Sequence, residues 1–182
     1  MTFTEEDYFN FQRKVEHYKD VLKNTEAYRT FWQENLKPAL MEHLQRVADL
    51  AQLPCTVEER SEITNLEAIV LSLGHSQSGL GEPIGEGMRR DLIKHNGSLV
   101  YQQLFNGKIM VLINYPYIER YGQPQPPKTL AIYRPEEIKE PYVVRHLETF
   151  MSEITYWEDY DDDRPDENQR IGFKFNFERE EA

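Results

Sequence analysis

Three features of the sequence predict an α+β fold. Two apolar stripes of helical period fill the first 53 residues, the pattern changes to alternating, turn-punctuated segments after Pro54, and helical period returns from Pro141. The expected architecture is an N-terminal helical hairpin and a C-terminal long helix packed on a mostly antiparallel sheet of about five or six strands, in one domain over residues 1–182.

Thr4 is a helix N-cap followed by acidic residues, and Tyr8, Phe11, Val15, Tyr18 and Leu22 repeat at alternating spacings of three and four. Asn24-Thr25 reads as a stop and a new cap. Tyr28, Phe31, Trp32, Leu36, Leu40, Leu44, Val47 and Ala51 then extend a second stripe to Leu53. A connection this short predicts an antiparallel hairpin over 1–53, with one long helix broken near Asn24 as the alternative. Pro38 lacks an N–H and predicts a kink or a boundary between shorter helices.

Residues 54–135 read as the sheet. Thr56 to Ile63 and Leu66 to Leu73 form a hairpin whose first, charged strand suits an edge. Residues 74–87 hold five glycines and read as a loop, followed by a short helix from Met88 to His95. Ser98 to Tyr115 is a second hairpin, with Asn106-Gly107 expected in a type I′ turn. A proline-rich loop from Pro116 to Pro127 leads to a strand at Lys128 to Tyr133. The third helix lies within 136–159, an acidic linker occupies 160–169, and 170–177 alternates as a final strand.

The formal net charge of -11 disfavours nucleic acid and anionic membrane surfaces as partners, since both are bound chiefly through Lys and Arg. Cys55 is the single cysteine, so no internal disulfide forms. Met1 to Asn10 carries acidic residues in place of a secretory leader, and no apolar run is long enough for a membrane helix. A cytoplasmic location is the expectation by elimination. The five histidines show no ligand spacing and the acidic run after Trp157 lacks an EF-hand pattern, so neither metal nor cofactor is expected.

Two constellations stand out. The glycine-rich segment with His75, Ser76, Ser78, Arg89, Arg90 and His95 offers unobstructed backbone N–H groups and fixed positive charge to a small anionic ligand. It has neither a P-loop nor a nucleophile-elbow spacing. Tyr115, Tyr117, Tyr121 and Tyr133, beside the proline-rich loop, suit a groove for a peptide or protein partner. The functional expectation is an interaction protein, homodimeric through its helices, that binds a protein or peptide partner. The alternative is a small-molecule-binding or enzymatic domain with an anionic-ligand pocket beside residues 74–87, and the sequence leaves open whether it is an enzyme.

Overall fold

The computed structural model describes residues 4–85 and 87–160. The chain opens as one unbroken rod made of α1 (Glu5–Phe31), a π-helical turn (Trp32–Leu36) and α2 (Lys37–Ala51). Thr4 and Asp7 form a reciprocal capping box at its start. The expected hairpin is thereby corrected to the single helix. Asn24 and Thr25 cost a helix interior only fractions of a kcal/mol, and the Thr25 hydroxyl donates back to the Val21 carbonyl at 3.0 Å instead of capping a new helix.

Pro38 accounts for the π turn. Its ring would collide with the carbonyl four residues back, and it has no N–H to donate. The helix widens by one residue just before it, so that the Lys37 N–H donates to the Trp32 carbonyl. Trp32, Gln33 and Lys37 then converge on one carboxylate oxygen, Glu67 Oε2, at 3.1, 2.8 and 3.0 Å. The expected kink is absorbed rather than broken into two helices, and the rod ends at Gln52, whose φ of 53° places it in the left-handed region.

The sheet strands in chain order are β1 (Thr56–Arg60), β2 (Ala68–Ser72), β3 (His75–Gly85), β4 (Met88–His95), β5 (Ser98–Gln103), β6 (Ile109–Asn114), β7 (Tyr117–Ile118) and β8 (Lys128–Tyr133). Five form an antiparallel sheet ordered β1-β2-β5-β6-β8, and three form a separate ribbon ordered β3-β4-β7. The β1–β2 and β5–β6 hairpins and the β8 strand match the sequence expectation.

The glycine-rich loop and the short helix do not. Both are strands, paired with register shifts between Gln77 and Gly81 and between Pro83 and Gly85. An eight-residue helix is marginal on its own, whereas pairing with the glycine-rich strand satisfies the backbone of both segments. The turn between β5 and β6 is also of another kind. Leu104 N–H donates to Lys108 O and Gly107 N–H to Leu104 O, both at 2.8 Å, and only Gly107 has positive φ, at 76°. That is a three-residue loop with a glycine bulge, not a two-residue type I′ turn.

After the 3-10 turn (Pro135–Glu137), α3 (Glu140–Glu158) starts with Pro141 in its first turn, as the sequence predicts. The central core joins Trp32, Leu36, Leu40 and Leu44 of the rod and Val143, Leu147, Phe150 and Ile154 of α3 to one face of the sheet, through Ile69, Leu71, Leu99, Tyr101, Ile109, Val111 and Ile113. Each such side chain contributes about 1.5–3 kcal/mol on burial. The expected linker beyond Tyr160 and the strand at 170–177 lie outside the described residues.

Candidate functional site

Three features could meet another molecule: a helical arm, a β-ribbon and a cleft. The arm is α1, none of whose 27 residues is buried. Tyr8, Phe11 and Tyr18 are 67, 64 and 62% exposed, and Leu22 and Phe9 are exposed beside them. The same helical face that carries Trp32 and Leu36 into the core therefore continues outward as an aromatic stripe with nothing against it among the described residues.

The ribbon separates what the sequence grouped. His95 lies at its base, while Arg89 and Arg90 lie six and five residues back along β4. Arg90 pairs with Glu82 at 2.6 Å, and Arg120 joins the same carboxylate at 3.0 Å. Arg89 runs across Gly81, where a Cβ would collide with it. Ser78 Oγ donates to Leu92 O at 2.6 Å and Ser76 Oγ to Asn96 Oδ1 at 3.1 Å, so both hydroxyls hold the ribbon together. His75 is exposed, its ring 6.4 Å from that of His95.

The cleft, of about 380 Å³, brings His95 of one predicted group together with Tyr115 and Tyr117 of the other. His95 stacks on Tyr117 at 4.4 Å and 8°, and its Nε2 lies 3.0 Å from Glu119 Oε1. The floor was not legible as a site. Ser72, Ser98 and Asn114 stand directly opposite one another on β2, β5 and β6, and strand alternation turns all three away from the core. The Asn114 amide donates to Ser98 Oγ at 3.0 Å. Pro124, Gln125 and Pro127 form one wall, and Arg60 stands at the edge, 3.1 Å from Glu58. The wall gives the proline-rich loop a role that composition alone only hinted at.

Tyr133 and Tyr121 lie elsewhere. Tyr133 and Tyr101 flank His146, whose Nε2 and Nδ1 are each 3.1 Å from a tyrosine oxygen. A neutral imidazole suits this site, donating to one hydroxyl and accepting from the other. Burial, with Arg145 nearby, holds the His146 pKa below its ordinary value, and burial pushes both tyrosines up. His146 is thus a core residue, 4% exposed. Tyr115 donates to Glu153 at 2.6 Å, and Glu153 also takes Lys128 at 2.9 Å.

Among the described residues no three His, Cys, Asp or Glu side chains converge on a common point. No helix among them is long and apolar enough to cross a membrane. No family model matches the chain, and neither a curated protein nor a solved structure matches it.

Proposed function

We propose that this chain is an interaction protein of the cytoplasm that self-associates through α1 and offers its sheet and cleft to a protein or peptide partner. The observation that carries the reading is the free arm. Most helical stability in proteins comes from packing an apolar face, yet α1, with 27 residues and none buried, leaves Tyr8, Phe11 and Tyr18 in water. Such a stripe is stabilised by a second helix laid along it.

Light scattering on the full chain tests this. A dimer mass is expected at micromolar concentration, and Phe11→Asp with Tyr18→Asp should return the mass to monomer. A monomer mass for the parent chain at high micromolar concentration removes the reading.

The cleft supports a second reading, a small polar ligand held beside His95, Ser98 and Asn114. Its volume lies within the range of small-molecule sites, and its lining mixes hydroxyl, amide and guanidinium groups with stacked rings. A screen of anionic and polyhydroxylated metabolites should then find one that raises the melting temperature in the parent and not in Asn114→Leu. A screen with no shift, or the same shift in that variant, ends this alternative.

A further inference from the structure

We infer that α1 pairs with α1 of a second copy of this chain in antiparallel orientation, Phe11 facing Leu22 of the partner subunit and Val15 facing Tyr18 of the partner subunit. This rests on the self-association reading above and adds its geometry.

The stripe has a fixed end. The chain's own β5–β6 turn closes it. A Cβ on Gly107 would lie 2.8 Å from Tyr28 Cβ and 2.9 Å from Thr25 O, and Arg29 Nη2 donates to Phe105 O at 2.8 Å. A second helix has the stripe only as far as Leu22. An antiparallel copy centred between Val15 and Tyr18 fills that length, since Phe11, Val15, Tyr18 and Leu22 each meet an apolar residue. Tyr8 then overhangs towards the partner's Phe105, and in this chain Phe105 is 75% exposed at the turn. The pairing unites the two bare aromatic ends of the stripe.

Charge along α1 also favours the antiparallel pair. Glu5, Glu6 and Asp7 fill the first turn, while Lys14, Lys19, Lys23 and Arg29 follow. A parallel pair sets the two acidic turns side by side and places Lys14 next to the partner's Lys19 on both flanks of the seam. The antiparallel pair carries each acidic turn to the partner's 23–29 segment, where Lys23 and Arg29 outnumber Glu26, and sets Lys14 beside the partner's Val21. Opposed helix dipoles act in the same direction.

The folded bodies act in the same direction. α1 carries six acidic and five basic residues, whereas residues 32–160 carry eighteen acidic and twelve basic ones. Parallel arms would put both acidic bodies at one end. Antiparallel arms hold them about 25 Å apart, about three Debye lengths at physiological salt.

Cysteine cross-linking in a Cys55→Ala background decides the orientation. Full-length Phe11→Cys and Leu22→Cys chains are oxidised singly and mixed. The mixture should yield on the order of tenfold more disulfide dimer than either alone, because like residues lie about 16 Å apart along the axis. Disulfides within each single variant, and none specific to the mixture, would overturn the orientation and leave self-association standing. A monomer mass for the parent would remove self-association itself. Should the seam substitutions weaken pairing, Tyr8→Cys mixed with Phe105→Cys leaves all four layers intact. A mixed disulfide there supports the inference, and its absence from a chain of dimer mass overturns it.

Discussion

Gly107 shows how much one residue settles. Its φ of 76° is strained for any side chain, and a Cβ there would press on α1 at Tyr28, Thr25 O and Arg29 N. A β-branched residue therefore meets two penalties, one conformational and one steric. Gly107→Val should destabilise the protein by about 2 kcal/mol or more, read as a fall in denaturant midpoint. An unchanged midpoint would mean that the turn and the rod move apart at little cost. Glu67 is the opposite kind of residue, held by many partners. Burial alone raises its carboxyl pKa, but hydrogen bonds from Lys37, Trp32 and Gln33 outweigh burial and keep it below its ordinary value.

Among the elements, the rod divides into two functional halves without a break. From Trp32 onward its stripe is core, and before Thr25 the same period is bare. The π turn lets Pro38 remain in the helix and aims Trp32 and Lys37 at Glu67, five residues apart but on one side. Because no residue of α1 is buried, the stripe substitutions that abolish the dimer should leave the sheet folded. Fluorescence of Trp32 and Trp157, both buried in the body, should stay unchanged while the mass halves. A joint loss of both signals would show that arm and body fold as one unit. α3 plays the plainer part of a core helix, and Lys94 joins its last residue, Glu158, at 2.8 Å.

At the scale of the molecule, the buried titratable groups set a window of stability. His146 has a depressed pKa, so its contribution is present above about 6.5 and is lost as pH falls towards its folded value. Glu67, also depressed, adds a second loss below about 4.5. Lys37 is raised, because Glu59 and Glu67 outweigh the effect of burial, and its contribution is lost as pH climbs past 10.5. Tyr101 and Tyr133 are raised by burial and lose theirs from pH 10.0 upward. The melting temperature should therefore hold a plateau between about pH 6.5 and 10 and fall on both sides. His146→Gln should remove most of the step nearest pH 6, and a profile unchanged by that substitution would show that another group titrates there.

What depends on neighbours along the chain can be read from the residues alone. Thr4 with Asp7, the alternation of Leu99, Tyr101, Ile109 and Val111, the glycine at 107 and the period of Val143 to Ile154 all state local geometry, so the α+β class, both hairpins and α3 were legible. Tertiary structure decided what depends on contacts between distant segments. Asn24-Thr25 is compatible with either a cap or a helix interior, and nothing in its own residues chooses. The segments His75–Gly85 and Met88–His95 have weak preferences of either kind, and pairing with each other made them strands. The cleft floor of Ser72, Ser98 and Asn114 comes from three strands whose register no single segment encodes. The stripe was visible as apolar, but only the fold could show that its first half has no core to enter, because burial is a property of what lies opposite a residue and not of the residue itself.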